Sequence, residues 1–152
     1  MQKIKSLIAA STVAMAISSA AVAADDLRFV MISHIGSNDA NMKWLTLSLE
    51  DFENRFPGVK TEYVSTNEYS IQKHIQLIEQ VIATKPDGIA VPIASSQAME
   101  PVLRKAIDSG IPVVAFNIPD SRPKAERIPY LTYVGGDEYK TGLALGQHAI
   151  SQ

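Results

Sequence analysis

Two short apolar runs dominate the middle of the chain, and a segment of helical periodicity separates them. The runs are Ile89 to Ile93 and Ile111 to Phe116; each has the length of a buried strand and is rich in β-branched residues. The apolar positions between them follow a helical period: Met99, Val102, Leu103, Ala106 and Ile107. This pattern predicts a strand–helix–strand unit, and therefore a parallel sheet with a right-handed crossover.

The same alternation of strand and helix patterns runs through the rest of the chain. Three further strands are predicted, at Arg28 to Ser33, Val59 to Val64 and Leu131 to Val134. Further helices are predicted over Lys43 to Phe56, over a segment carrying Ile71, Ile75, Ile78 and Ile82, and over a last segment carrying Leu143, Leu145 and Ile150. The predicted fold class is α/β: a doubly wound parallel sheet in strand order 2-1-3-4-5, one Rossmann-like lobe with helices on both faces.

Cap and turn residues mark where these helices begin and end. Ser70 can cap the second helix, Ser95 or Ser96 the third, and Asp137 the last. Gly110 supplies the stop of the third helix. The second strand alternates in polarity, which places it near an edge of the sheet.

The first 23 residues have the pattern of a secretory signal peptide. Lys3 and Lys5 precede the mainly apolar run Leu7 to Ile17, and Ala21 to Ala23 has the small-x-small pattern of a cleavage site. The alternative is a membrane anchor, for which the apolar run is short. We therefore expect residues 1–23 to be removed, residues 24–152 to form one domain, and the mature protein to lie in the periplasm. Because the chain has no cysteine, that domain must rely on its packed core rather than on disulfides.

Composition and motifs exclude several classes of function. The net charge of −2 and the lack of a basic run give no basis for binding nucleic acid. A nucleophile elbow and a glycine-rich phosphate loop are both missing. The acidic residues Asp120, Glu126, Asp137 and Glu138 are too dispersed to predict a metal site. We therefore expect no cofactor, no metal and no catalysis.

The three histidines are scattered along the chain. His34 follows the first strand, where it either faces a ligand or is an ordinary loop residue. His74 and His148 lie in predicted helices, where surface positions are expected. The pair Gly135-Gly136 is a candidate anion nest, but Asp137 directly after it favours a turn that leads into a helix cap.

Uncharged polar residues collect at the predicted carboxyl ends of the strands, where ligands bind in such sheets. They are Ser33, Asn38, Asn41, Asn67, Ser95, Ser96 and Asn117. Amide groups both donate and accept hydrogen bonds, which suits a polyhydroxylated ligand, and the ring of Trp44 could cover the apolar side of a sugar. The alternatives are helix caps for the two later serines, a turn role for Asn67 and a core position for Trp44.

Three segments resemble the N-terminal lobe of the type I periplasmic sugar-binding proteins, the ribose- and galactose-binding group. KPDGIAVPIASSQAMEPVLRKAIDSGIPVVAFN resembles the family's third-strand to fourth-strand unit. YLTYVGGDEYKTGLALGQHA resembles its fifth strand and the following helix. NMKW, from Asn41 to Trp44, resembles a loop that contributes polar and aromatic groups to the sugar.

The resemblance implies a role for several residues. It implies hydrogen bonds to the sugar from Asn41, Asn67 and Asn117, ring stacking by Trp44, and a place beneath the ligand for Ser33. Asn38 belongs to a loop that is longer here than in relatives, and Lys43 stands where many relatives have Phe. Asn117-Ile118 replaces the Asp-Arg of ribose-type relatives, which argues against ribose as the ligand.

The resemblance also implies a function. Members of this family have two similar lobes, the sugar binds between them, and hinge closure buries it. The chain matches the first lobe, so it is either a fragment or a lobe that works alone. We expect a solute-binding component of an ABC-type sugar importer, which binds a monosaccharide or similar polyol and docks on the membrane permease. The alternatives are a periplasmic sensor that delivers a sugar-like signal to a membrane receptor, and a small exported enzyme that uses His34.

Overall fold

A computed structural model describes residues 26–36, 42–66 and 68–151 of the chain. Five strands alternate with four helices. The strands are β1 (Leu27–Ser33), β2 (Val59–Ser65), β3 (Gly88–Val91), β4 (Val113–Phe116) and β5 (Thr132–Val134). The helices are α1 (Met42–Arg55), α2 (Ile71–Ala83), α3 (Ser96–Asp108) and α4 (Glu138–Ile150), and a single 3₁₀ turn spans Lys124–Glu126. Every element that the periodicity predicts is present.

The strands form one parallel sheet in the order β2-β1-β3-β4-β5. This confirms the predicted strand order and the edge position of β2. The chain moves from β1 outward to β2 and then crosses back to β3 on the other side of β1. The strand order therefore reverses between β1 and β3, and the crevice above their carboxyl ends is where an open sheet of this kind binds ligands.

One face of the sheet is covered by α2 and α3, which pack against each other. Alternate strand residues point into this layer and are buried: Val30, Ile32, Ile89, Val91, Val113 and Ala115. Register reinforces the layer, because Val30 lies beside Ile89 and Ile89 beside Val113. On the helices, Ile78, Met99 and Leu103 close the core from above.

The opposite face of the sheet is only partly covered. Helix α1 packs against β2, and its Leu49 borders the sheet residues Phe29 and Val114. Phe29 is 36% exposed, and its ring takes the space that a side chain on Gly88 would occupy, with a Cβ there only 3.0 Å from the ring. Helices therefore lie on both faces, as predicted, although their cover of this face is incomplete.

Helix α4 is present where predicted, but its apolar residues are not packed against the rest of the described fold. Asp137 caps it as expected, accepting a hydrogen bond from the Lys140 backbone N–H at 3.0 Å. None of its residues, all of which are described, is buried, and Leu143, Leu145 and Ile150 are all exposed. Periodicity predicts a helix, but the surface against which it packs depends on the rest of the fold.

The other helix boundaries follow the cap residues. The Ser70 hydroxyl accepts a hydrogen bond from the Lys73 N–H, which confirms it as the cap of α2. Ser95 is the N-cap residue of α3, but its side chain makes no capping hydrogen bond. Gly110 ends α3 with a φ of +82°, a left-handed conformation that favours glycine.

The predicted signal peptide, residues 1–23, lies outside the described residues and stays a prediction. Among the helices of the described part, none has both the length and the apolarity needed to cross a bilayer.

Candidate functional site

A cavity of about 490 Å³ opens at the carboxyl ends of β1 and β4. It is lined by Met31, Ser33, Ile35, Trp44, Leu45, Pro92, Phe116, Asn117, Val134 and Gly135. Three of the predicted site residues therefore meet in one place, although Ser33 and Asn117 are far apart in the sequence. The parallel sheet brings them together because its strand ends share one edge.

Ser33 forms the floor of this cavity. It is the last residue of β1 and is almost fully buried. Its hydroxyl oxygen accepts a hydrogen bond from the Ile35 N–H at 3.1 Å, and its carbonyl accepts one from the Thr66 N–H at 3.3 Å. Among the described residues the hydroxyl proton has no acceptor, so this side chain can offer one hydrogen bond from beneath a ligand.

Trp44 forms one wall of the cavity, from the first turn of α1. Its side chain is 60% exposed, so the alternative of a core position is wrong. An exposed indole beside a cavity offers an apolar face on which a sugar ring can stack. Phe116 is a second aromatic residue in the lining of this cavity, and the sequence pattern indicated it only as part of a buried strand.

Asn117 stands at the cavity rim directly after β4, and it is exposed. Its φ of +61° is left-handed, which is uncommon for a residue other than glycine. Its backbone N–H donates to the Val134 carbonyl at 3.0 Å, so this residue is tied to the end of β5. The side-chain amide makes no hydrogen bond to the described residues, so its donors and acceptor are available to a ligand.

The described lining is electrically neutral. None of its ten residues has an ionisable side chain, and the two polar side chains are a hydroxyl and an amide. A mostly apolar cavity with a few uncharged hydrogen-bonding groups suits a neutral ligand with both apolar and hydroxylated surfaces. In the part of the chain that the structure describes, no three His, Asp or Glu residues gather into a group that could hold a metal ion.

The amino-acid pattern of residues 29–152 matches the family described as "Periplasmic binding protein domain". The chain belongs to this family. Its members are substrate-binding proteins, and the family is one of the periplasm. The parallel five-stranded sheet with its flanking helices is that of one lobe of a type I periplasmic binding protein.

Known sugar-binding proteins are similar to this chain. The xylose/arabinose-binding protein XylF of Sulfolobus acidocaldarius is 34% identical over 79 residues, which are 49% of this chain and 20% of that protein. The arabinose-binding protein AraP of Geobacillus stearothermophilus has a TM-score of 0.69 at 28% identity, over 83% of this chain and 41% of AraP.

A third similar protein is a carbohydrate transporter component of Acidothermus cellulolyticus, solved with myo-inositol. It has a TM-score of 0.70 at 32% identity, over 82% of this chain and 42% of its own. The chain thus spans less than half the length of these relatives.

Three predicted site residues of this periplasmic binding protein cannot be placed. Asn38, Asn41 and Asn67 lie outside the described residues. Ser95 and Ser96 do not join the cavity; they line a separate surface depression beside Arg122. The ligand contacts of Ser33, Trp44 and Asn117, like those of the three asparagines, stay predictions.

His34 and His74 form a buried pair below this edge of the sheet. Their ring centroids are 5.9 Å apart, and the Tyr69 ring lies 5.5 Å from His34 on the other side. His74 is fully buried, so the expected surface position was wrong: it faces the core with Ile78 and Val81 rather than solvent. His34 is not among the residues that line the described cavity.

Burial decides the protonation of this histidine pair. It lowers the pKa of His74 to about 4, with the neighbouring His34 as a lesser cause. Burial likewise lowers the pKa of His34. The carbonyl groups of Pro92 and Ser33 face the His74 ring, yet neither of its nitrogens completes a well-formed hydrogen bond among the described residues. Both rings are therefore neutral at neutral pH.

A buried ion pair anchors the loop between β4 and β5, and sequence reasoning missed it. The Asp120 carboxylate is fully buried and accepts hydrogen bonds from the Arg122 guanidinium at 2.7 Å and from the Ile128 N–H at 2.9 Å. The same guanidinium donates to Glu100 on α3 at 2.6 Å. The hydrogen bonds from Arg122 are the main reason that the pKa of Asp120 lies well below its usual range. The network fixes the loop that begins at Asn117.

Proposed function

We propose that this chain is the N-terminal lobe of the solute-binding component of an ABC-type sugar importer, and that it binds a monosaccharide or a related polyol. The observation that carries the proposal is the neutral cavity in which Ser33, Trp44 and Asn117 meet. An aromatic face and uncharged hydrogen-bonding groups are the chemistry that recognises a sugar ring. The similarity to proteins that bind xylose, arabinose and myo-inositol supports the same ligand class.

The cavity is open to solvent on one side, as expected if this lobe supplies only half of a binding site. Trp44 and Asn117 are both exposed at its rim. Small-molecule sites bury most of the ligand surface. A sugar seated here would keep its outer side in solvent until a second surface closed over it. We therefore propose that a second lobe completes the site, that the closed form docks on a membrane permease, and that residues 1–23 direct export.

Delivery of a sugar signal to a membrane receptor would use the same cavity. A solved XylFII-LytSN complex shares this fold, with a TM-score of 0.67 at 22% identity. That likeness extends to the fold alone, so transport remains our first proposal. Binding without catalysis is common to both roles.

The single tryptophan of the chain makes the proposal directly testable. Trp44 lies in the cavity wall, so its fluorescence should change when a sugar stacks on it. The protein beginning at Ala24 is titrated with L-arabinose, D-xylose, D-galactose, D-ribose and myo-inositol, and binding is confirmed by calorimetry. Because the lobe supplies only one side of the site, we expect weak, millimolar binding of at least one of these ligands, other than ribose, and a change in the emission.

Two asparagine variants test whether the sugar binds in the cavity beside Asn117. Asn117→Ala should weaken binding about fivefold to tenfold, because one hydrogen bond to a hydroxyl contributes on the order of 1 kcal/mol. Asn54→Ala, on the exposed surface of α1, should leave binding unchanged. A folded protein that binds none of the five compounds would refute the proposal for this chain.

A further inference from the structure

The backbone around Asn117 has an unusual shape. The Ile118 N–H donates to the Phe116 carbonyl at 2.6 Å, which closes a three-residue γ-turn with Asn117 at its centre. The φ of Asn117 is +61°, and γ-turns with a positive φ are rare and strained. A residue other than glycine stays in such a conformation only when its surroundings hold it there.

The Tyr133 hydroxyl is in position to hold this turn. It lies 2.9 Å from the Asn117 carbonyl oxygen and 3.0 Å from the Gly136 carbonyl oxygen. Tyr133 is part of β5, next to Ala115 of β4, so its ring spans from the strand to both loops. The hydroxyl has one proton to donate and two carbonyl acceptors within reach. The bond between the Asn117 N–H and Val134 closes the other side of the turn.

Gly135 makes room for this arrangement. A Cβ at Gly135 would lie 2.1 Å from the Tyr133 hydroxyl oxygen and 2.5 Å from the ring carbon that bears it. Any larger residue would therefore displace the Tyr133 side chain from the turn. This explains why position 135 is a glycine.

We propose that Tyr133 is a positioning residue that holds Asn117 in its γ-turn so that the Asn117 amide faces the sugar cavity. The inference rests on the proposed sugar-binding function. Asn117 and Gly135 line the sugar cavity, whereas Tyr133 does not. Tyr133 and Asn117 both line a neighbouring depression beside the loop between β4 and β5. In the proposed role, Tyr133 acts on a ligand in the sugar cavity through Asn117.

The test removes only the hydroxyl. Tyr133→Phe should weaken the binding of whichever panel sugar binds by about fivefold, comparable to the loss of one hydrogen bond. Tyr139→Phe is the matched control, because Tyr139 is 80% exposed on α4 and should leave affinity unchanged. In the Asn117→Ala background, Tyr133→Phe should cause no further loss, because the residue through which it acts is already missing.

A second measurement needs no ligand. Hydrogen exchange of the Asn117 backbone amide, followed by NMR, should be faster in Tyr133→Phe and unchanged in Tyr139→Phe. Gly135→Ala should reproduce the faster exchange, because its Cβ displaces the Tyr133 ring, whereas Gly142→Ala should not. These results are expected whether or not the isolated chain binds sugar.

The outcomes separate the inference from the function on which it rests. If no panel sugar binds but exchange at Asn117 responds as expected, the proposed function fails and the role of Tyr133 in holding the turn stands. If sugar binds and Tyr133→Phe changes neither affinity nor exchange, the positioning role is wrong. If the losses from Tyr133→Phe and Asn117→Ala add in the double variant, Tyr133 acts independently of Asn117, which also overturns the inference.

Discussion

At the scale of single residues, two ionisable side chains are fully buried in the described part of the lobe, and their charge states are opposite: one is neutral and the other is ionised. His74 is kept neutral, because no well-formed hydrogen bond offsets its burial. Asp120 is kept charged, because the Arg122 guanidinium and backbone N–H groups surround its carboxylate. Both lie near the carboxyl ends of the strands, so the pH response of the fold is concentrated next to the candidate site.

Acid should destabilise the lobe through His74. Its pKa in the folded state, about 4, lies below the ordinary value of 6.5, so protons bind more readily to the unfolded chain. The free energy of unfolding should therefore fall as the pH drops from about 6.5 towards 4, by up to roughly 3 kcal/mol. His74→Phe should flatten this slope in urea unfolding measured across that range, whereas His148→Gln, on the exposed α4, should keep it. An unchanged slope in His74→Phe would contradict the assignment.

Neutralising Asp120 should destabilise the loop between β4 and β5. Asp120→Asn places an amide against donors that need an acceptor, and it leaves Arg122 with Glu100 as its remaining carboxylate partner, at a cost of about 3 kcal/mol. Asp108→Asn, on the exposed end of α3, should cost less than about 0.5 kcal/mol. Urea unfolding at pH 7 measures the stability of both variants. If Asp120→Asn and Asp108→Asn are equally stable, the Asp120–Arg122 ion pair contributes little to the fold. Because its pKa is lowered in the fold, the contribution of Asp120 should be lost as the pH falls below about 4.

The sequence predicts where a residue lies in the fold better than it predicts what the side chain does there. Ser33 and Asn117 could be placed at strand ends because strand periodicity and a parallel sheet determine where those ends lie. The burial of His74 could not be predicted, since a helix pattern shows which residues share a face but not that a polar one is enclosed there. The Asp120–Arg122 pair also escaped prediction, because its effect depends on where a loop folds.

At the scale of elements, local signals account for most helix and strand boundaries. Ser70 and Asp137 cap their helices, and Gly110 takes the left-handed conformation at the end of α3. Such signals act within a few residues, so the sequence alone reveals them. The missing side-chain bond of Ser95 shows the limit of this reasoning: a cap residue can occupy the N-cap position without making the bond.

Two glycines should respond in opposite directions to the same substitution. Gly110→Ala forces a Cβ into a left-handed conformation and should destabilise the protein by about 1 kcal/mol. Gly142 lies inside α4 with nothing within 4 Å of the added Cβ, so Gly142→Ala should be neutral or stabilising by up to about 1 kcal/mol. Thermal unfolding of both variants tests the pair. A stable Gly110→Ala protein would show that α3 ends differently.

At the scale of the whole molecule, one face of the sheet is fully covered by helices and the other is partly exposed. The layer formed by α2 and α3 closes over a continuous core. On the opposite side the sheet residues Phe29 and Val134 remain exposed, and so do the apolar residues of α4. The strand order could be predicted because alternating strand and helix patterns permit few topologies. The docking of α4 could not, because the apolar content of Leu143 and Ile150 does not specify the surface that they contact.

Matched leucine truncations test whether α4 is unpacked in solution. Leu103→Ala removes a fully buried side chain from the core and should cost about 2–5 kcal/mol. Leu143→Ala should cost less than about 0.5 kcal/mol, because the Leu143 side chain is 52% exposed and fills no space in the described fold. Urea unfolding at two protein concentrations measures both. A large cost for Leu143→Ala would mean that α4 is packed in solution. If the free energy of unfolding does not depend on protein concentration, α4 packs on the exposed sheet face of its own chain. If the free energy of unfolding rises with protein concentration, α4 packs on a second copy of the chain.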